Sequence, residues 1–243
     1  MRRRRPIAGR ELAAAYLTAK RTVLDAGFEA EVAWQEYACH APLSEARFLS
    51  EAAWVVLNAG MREAVVRQLF PQIAAAFDGF VNATAAAAAA RNGGREIALG
   101  VFGHPGKIDA IVSIVDHVAE HGLDEVLGRL ATDGVEALQC FPYLGPATSL
   151  HLAKNLGYDV AKPDRHLTRI AQACGYSDPQ VLCRDVFEFL GEPVPVVDLV
   201  FWRFATLSHN YVGELLRVVS ASSPRQRPGA PATPPAKTGP AVH

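Results

Sequence analysis

Apolar residues recur at intervals of three and four along most of the chain, which is the spacing of one face of an α-helix. This pattern predicts helices over residues 11–26, 45–57, 62–77, 107–121, 124–131 and 135–140. Glycines and prolines fall between these segments and provide the breaks. Few stretches alternate apolar and polar residues as strands do. The sequence therefore predicts an all-α fold of about ten short helices.

The composition of the chain divides it into three parts. Residues 1–9 form a basic N-terminal arm, residues 10–219 form a helical domain, and residues 220–243 form a Pro/Ala-rich tail. The tail has too few large apolar residues to build a core, so we expect it to be disordered. Half of all residues are hydrophobic, which gives the domain ample material for a core.

The distribution of apolar residues also bears on where in the cell the protein is expected. No uncharged apolar run reaches the length of about 18 residues that a membrane span needs. No apolar segment with a small-residue cleavage site follows the arginines at the N-terminus. We therefore expect a cytoplasmic, monomeric protein with no membrane partner.

The spacing of the cysteines argues against a metal centre. The chain has four, at Cys39, Cys140, Cys174 and Cys183, and they form neither a Cys-X-X-Cys pair nor a tightly spaced group. Structural zinc sites and iron-sulfur clusters use such spacings. We expect reduced thiols and no bound metal.

The formal net charge of −1 conceals an asymmetry between the ends and the middle. Seven of the 24 basic residues lie at the two ends, with no acid among them, which leaves 17 basic residues against 25 acidic ones elsewhere. A body of this charge does not attract nucleic acid as a whole. Any contact with DNA would depend on a local patch, on backbone amides and on the basic ends.

Residues 141–171 place a short turn between two helices and an acid at the start of a third. The turn covers Pro142 to Pro146, and the helix after it presents free backbone amides that favour a phosphate. Gly145 lets the backbone approach a ligand, and the Thr148 hydroxyl is a further donor. Lys154, two helical turns later, is placed to pair with a neighbouring phosphate. The same residues also suit an ordinary turn between helices.

This segment resembles the helix-hairpin-helix (HhH-GPD) DNA glycosylase superfamily, whose pattern joins Leu-Pro-Gly-X-Gly and a threonine to a later Asp-X-His-X-X-Arg. The matching positions here are Pro142, Leu144, Gly145, Thr148, Asp164, His166 and Arg169. The resemblance implies two interlocked helical subdomains with a DNA-binding cleft between them and a hairpin over 134–157. It implies DNA contacts by Leu144, Gly145, Ala147, Thr148, Lys154, His166 and Arg169.

Two departures from the family pattern refine this expectation. Tyr143 stands where the first hairpin glycine usually stands, which puts in doubt the monovalent cation that hairpin carbonyls of the family often bind. Ala147 stands where members that also cleave the strand carry a lysine nucleophile. The chain is therefore similar to monofunctional glycosylases, which need no cofactor and hydrolyse the N-glycosidic bond with water.

Asp164 is the expected catalytic residue. Cleavage of the bond places oxocarbenium character on the sugar, and a nearby carboxylate stabilises that charge and activates the attacking water. Asp164 follows Pro163 and is predicted to cap a helix, which would hold the carboxylate in place. Taken without the surrounding pattern, a helix cap alone is the better account of this residue.

The target base must leave the duplex to reach such a site. The loop after the helix 45–57 corresponds in order to the family's wedge loop, so Asn58 and Met61 are the expected wedge residues and Trp54 a candidate for the base pocket. The partner implied is double-stranded DNA that contains a damaged or modified base, in association with the nucleoid. The sequence leaves the identity of that base open.

Two other functions remain compatible with the sequence. A helix-hairpin-helix module could bind DNA without catalysis, with the acid serving as a cap. A helical scaffold would account better for the acidic body, but it would leave the joint pattern from Gly145 to Arg169 unexplained.

Overall fold

A computed structural model describes residues 6–7 and 9–222, and the described chain contains no β-strand. The helices are α1 (Gly9–Asp25), α2 (Glu29–His40), α3 (Glu45–Asn58), α4 (Glu63–Ala76), α5 (Ala83–Ala89), α6 (Arg95–Phe102), α7 (Pro105–His121), α8 (Leu123–Asp133), α9 (Pro146–Asn155), α10 (Arg165–Ala173), α11 (Pro179–Leu190), α12 (Val194–Leu207) and α13 (Tyr211–Ser222). Short 3-10 helices cover Asp78–Phe80 and Gly134–Cys140, and a π-helical turn covers Ala90–Gly94. The all-α prediction is confirmed. The arginines of the predicted basic arm and most of the predicted tail lie outside the described residues.

Helix ends follow local capping chemistry. The side chains of Ser44, Asn82 and Asp178 each accept a hydrogen bond from a backbone N–H in the first turn of the helix that they precede, α3, α5 and α11 respectively. These bonds satisfy amides that have no partner inside the helix. Prolines also stand in the first turn of α7, α9, α11 and α12, where a missing N–H has no cost.

The middle of the chain builds one hydrophobic core. Buried residues from α3 to α9 form it, with α7 packed against α3, α5 and α6. Phe48, Phe77 and Phe80 are its largest side chains with no exposed surface. The alanine-rich helix α5 lies against α7, because its small side chains allow close packing of the two helices.

The two ends of the helical region together build a second core. Helices α1 and α2 pack with α10 to α13, so that the chain enters this cluster, leaves it after α2 and returns to it after α9. Tyr16 on α1 and Phe201 on α12 meet edge to face at its centre, with ring centroids 5.5 Å apart. Within the described residues, none of the helices is both long and apolar enough to cross a bilayer.

Candidate functional site

Asp164 is the N-cap of α10. Its Oδ1 accepts hydrogen bonds from the backbone N–H groups of His166 and Leu167, each at 2.8 Å. The second carboxylate oxygen, Oδ2, accepts no hydrogen bond from any of the described residues. The side chain is partly exposed. One oxygen therefore fixes the carboxylate on the helix, and the other is available to a ligand.

The segment between α9 and α10, here called the strap (residues 158–164), has no regular structure but is closely held. Asp164 N–H donates to the carbonyl of Lys162 at 2.8 Å, which closes a three-residue turn around Pro163. The N–H of Ala161 donates to the Gln180 side chain on α11, and the N–H of Lys162 donates to Asp198 Oδ2 on α12, both at 2.6 Å. Two helices of the second core thus set the path of the chain into Asp164.

A buried charged cluster lies beneath the strap. Lys154 on α9 and Asp198 on α12 are 5% and 4% exposed, and their Nζ and Oδ1 atoms are 3.7 Å apart. The Lys154 ammonium also donates to Gln35 Oε1 on α2 at 3.1 Å. Burial raises the pKa of Asp198 to about 6, against the opposing effects of Lys154 and of the Lys162 N–H. The cluster therefore joins α2, α9 and α12.

The burial of Lys154 corrects the expectation that it contacts a DNA phosphate. Its position two helical turns after the start of α9 was predicted correctly, but that turn of the helix faces α2 and α12 rather than solvent. The ammonium contacts Gln35 and Asp198 and does not reach the surface.

Lys162 and His151 form a second polar pair next to this cluster. Lys162 Nζ lies 3.2 Å from His151 Nδ1. Burial lowers the pKa of His151 well below its usual value, and the ammonium groups of Lys162 and Lys154 lower it further. His151 is therefore a neutral acceptor, and the Lys162 ammonium donates to it. Burial is also the main cause that lowers the pKa of Lys162.

The prediction of site residues from the sequence missed His151, Lys162 and Asp198. A signal existed for Asp198, because it is the only acid in the apolar run from Val194 to Trp202, and a carboxylate in such a run needs a partner. His151 and Lys154 stand three residues apart, which places them on neighbouring positions of α9. Their contacts with the strap depend on tertiary structure.

The turn before α9 is held by its own side chains. Tyr143 has a left-handed backbone with φ of 65°, and the Thr148 hydroxyl donates to its carbonyl at 2.8 Å. The hydroxyl proton is thus used inside the turn, contrary to the expectation that it is offered to a phosphate. Leu144 is 1% exposed and packs in the first core, which corrects the expectation that it contacts DNA. Gly145 and Ala147 are exposed at the start of α9, as a ligand-binding helix N-terminus requires.

A buried lysine links this turn to the loop after α3. Lys107 is 3% exposed, and its Nζ donates to the carbonyls of Leu57 and Ala59, both at 2.6 Å. The same Nζ lies 5.9 Å from the centroid of the Tyr143 ring, and burial lowers its pKa. The loop 57–62, the start of α7 and the turn therefore lie side by side.

The three predicted wedge and pocket residues differ in their surroundings. Trp54 packs edge to face on Phe70 at 5.3 Å, at the margin of the first core, and its assignment to a base pocket stays a prediction. The Asn58 amide donates to the carbonyl of Trp54 at 3.1 Å. Met61 is 43% exposed. Of these three, only Met61 is exposed.

His166 and Arg169 lie on α10, beyond Asp164. His166 Nδ1 is 3.3 Å from the Tyr211 hydroxyl on α13, and burial lowers the pKa of its imidazole. This contact anchors the start of α10 to the second core. Arg169 is exposed, which places its guanidinium where an external phosphate could reach it.

No group of three side chains suited to a metal ion occurs among the described residues, and the four cysteines are separate thiols. What the arrangement provides is a fixed carboxylate with one open oxygen, a lysine-imidazole pair on the strap and α9, and an exposed helix N-terminus. Comparison of the chain with protein-family models, with curated proteins and with solved structures gives no match.

Proposed function

We propose that this chain is a monofunctional DNA glycosylase that hydrolyses the N-glycosidic bond of a flipped, damaged or modified base, with Asp164 as its catalytic residue. The observation that carries the proposal is the state of the Asp164 carboxylate. Oδ1 is fixed by two backbone amides while Oδ2 has no hydrogen bond within the described chain. A carboxylate that must act on a sugar needs such a fixed position and an open oxygen.

The chemistry requires little more from the protein. As the bond from C1′ to the base nitrogen breaks, its electron pair leaves with the base, and the positive charge on the sugar is stabilised by the Asp164 carboxylate. A water molecule attacks C1′, and Asp164 accepts its proton. The departing base takes up a proton from solvent. The products are the free base and an abasic site.

Ala147 supports the assignment to hydrolysis rather than strand cleavage. It is exposed at the start of α9 and offers no amine, so this position cannot form an imine with C1′. The nearest lysine on the same helix is Lys154, whose ammonium is buried against Asp198. An abasic site should therefore remain intact until alkali cleaves it.

The exposed start of α9 supports a role in holding DNA. Its first amides and the positive end of the helix dipole favour a phosphate, and the Arg169 guanidinium is a further exposed donor. Met61 lies in a loop that Lys107 fixes against the turn that precedes α9. A loop held in this way suits a side chain that fills the gap left by a flipped base.

The test is a panel of duplexes, each with one alkylated, deaminated, mispaired or oxidised base, incubated with the full chain and then treated with hot alkali. We expect cleavage of at least one duplex after alkali and of none before it. Asp164→Asn should bind the same duplex and fold normally, because asparagine caps a helix as well as aspartate. It should lose excision by at least about 100-fold.

Asp178 provides the matched control. It caps α11 as Asp164 caps α10, accepting the N–H of Gln180 at 2.9 Å, and is exposed. Asp178→Asn should therefore leave excision unchanged. Near wild-type excision by Asp164→Asn would refute the catalytic role.

A second function, DNA binding without catalysis, is favoured by this same similarity between Asp164 and Asp178. If both are caps alone, the wild-type chain binds duplexes in a salt-dependent manner and excises no base from any of them. The panel distinguishes the two functions directly.

A further inference from the structure

Asp198 is a carboxylate in an otherwise apolar part of α12. It is 4% exposed and is surrounded along the helix by Val196, Val197 and Val200, which have no exposed surface. Burying a carboxylate carries a large cost unless partners compensate it. The partners of Asp198 therefore indicate what the residue does.

Those partners lead to Asp164 through an unbroken series of contacts. Asp198 Oδ1 faces the Lys154 ammonium at 3.7 Å, and Asp198 Oδ2 accepts the N–H of Lys162 at 2.6 Å. The carbonyl of Lys162 in turn accepts the N–H of Asp164 at 2.8 Å. The peptide groups on both sides of Lys162 are thus fixed, one by Asp198 and the other by Asp164 itself.

We propose that Asp198 is a positioning residue, whose carboxylate holds the strap at Lys162 and thereby sets the place of the Asp164 carboxylate. The proposal rests on the proposed function, since Asp164 is the group that it positions. The strap has no helix or strand to define its path, and its N–H groups at Ala161 and Lys162 are bonded to side chains of α11 and α12. Loss of the Asp198 acceptor would leave the N–H of Lys162 without a partner.

The role of Lys154 follows from that of Asp198. A buried carboxylate is tolerated here because the Lys154 ammonium compensates its charge. Replacing only one of the two would leave an uncompensated buried charge, and the loss of stability would obscure any effect on position. The test therefore removes both charges together.

Two double variants share Lys154→Met and differ at position 198, where one keeps a hydrogen-bond acceptor and the other does not. Lys154→Met with Asp198→Asn removes both charges and keeps an oxygen that can accept the N–H of Lys162. Lys154→Met with Asp198→Leu removes the charges and the acceptor. We expect the single-turnover excision rate of the Leu variant to fall about 10- to 100-fold below that of the Asn variant, since small displacements of reacting groups have effects of this size. The affinity for duplex should be the same in both.

A second measurement reports position without any reaction. Hydrogen exchange of the His166 and Leu167 amides, which donate to Asp164 Oδ1, should be faster in the Leu variant than in the Asn variant. Equal exchange in the two variants would overturn the positioning role, whether or not the chain excises a base. Faster exchange together with a wild-type chain that excises nothing would instead contradict the proposed function.

The pair formed by Arg203 and Glu31 is the control for general stability. Arg203 also lies on α12, is 8% exposed and contacts Glu31 on α2 at 2.7 Å, away from the strap. Glu31→Gln should lower the melting temperature without changing the excision rate or the exchange of the two amides. An equal loss of excision in Glu31→Gln and in the Leu variant would show that Asp198 affects excision only through the stability of the fold.

Discussion

The Thr148 hydroxyl donates a hydrogen bond to the carbonyl of Tyr143, at 2.8 Å, and thereby closes the turn in which Tyr143 has a φ of 65°. A residue with a side chain is uncommon in this left-handed region and stays there only where its surroundings favour it. Here the surroundings are the Thr148 bond on the carbonyl and the contact of the ring with His104, at 6.0 Å between centroids.

We predict that Thr148→Val destabilises the fold by about 1 kcal/mol, the usual contribution of one such hydrogen bond. Urea denaturation measures the change. The matched control is Thr18→Val on α1, where the lost bond runs from the hydroxyl to the carbonyl of Ala14, one turn earlier in the same helix. That substitution should have a smaller effect. Equal effects at the two positions would mean that the Thr148 bond has no special role in the turn.

Lys107 leads to a second prediction, about the loop 57–62. Because its Nζ donates to the carbonyls of both Leu57 and Ala59, Lys107→Met should release the loop and lower the free energy of unfolding by about 2 kcal/mol. Hydrogen exchange should increase over residues 59–62 more than in α3. Arg62→Met, which removes an exposed cation from the same loop, should change neither quantity. Unchanged exchange in Lys107→Met would contradict the anchoring role.

Two carboxyls, that of the partly buried Glu51 and that of the buried Asp198, predict how stability depends on pH. Burial raises the pKa of Glu51 from 4.5 to about 6, and the Asn155 amide, which donates to it at 2.8 Å, and the charges of Lys154 and Arg47 oppose this effect. The pKa of Asp198 is also about 6. Its neighbours are the charges of Lys154, Lys162 and Asp164 and the N–H of Lys162. A pKa that is higher in the folded state means that folding favours the protonated carboxyl.

The sign of the effect follows from this. The contribution of Glu51 to stability is fully present below its unfolded pKa of 4.5 and is lost as the pH rises through about 6. The loss amounts to about 2 kcal/mol at most. Glu51→Gln should therefore reduce the fall in unfolding free energy between pH 5 and pH 7, as measured by urea denaturation at each pH. The lowered pKa values of His151 and His166 act in the opposite direction as the pH rises, so the prediction concerns the difference between the variant and the wild type. The same change in unfolding free energy from pH 5 to pH 7 in Glu51→Gln and in the wild type would contradict it.

Much of the fold could be predicted from the sequence because local periodicity determined it. The helices expected over 62–77 and 107–121 are α4, from Glu63 to Ala76, and α7, from Pro105 to His121. Asp164 was predictable as a cap because the chemistry of a helix N-terminus depends on residues next to one another in the chain. The positions of the turn and of the start of α9 were predictable for the same reason, because they also depend on residues that are close together in the chain.

The side-chain environments were less predictable, because they depend on which helices meet. Lys154 follows the start of α9 at a spacing that suits a phosphate contact, yet its side chain faces Gln35 and Asp198 from distant parts of the chain. Trp54 stands near a loop in sequence but packs on Phe70 in space. Periodicity gives the buried face of a helix but not the partner that this face meets.

Ala147 provides a last prediction, on the distinction between hydrolysis and strand cleavage. Its side chain is exposed at the start of α9, so Ala147→Lys should fold. The new amine would stand at the position of the lysine nucleophile in strand-cleaving members of the family that the segment resembles. That amine can attack the C1′ aldehyde of an abasic site, forming an imine and releasing water. Borohydride reduces the imine and should link the variant to the DNA covalently. The wild-type chain and Ala147→Arg, which has the charge without a nucleophilic amine, should give no link. Trapping of the wild-type chain would contradict the monofunctional proposal, and absence of trapping in Ala147→Lys would show that the start of α9 does not face C1′.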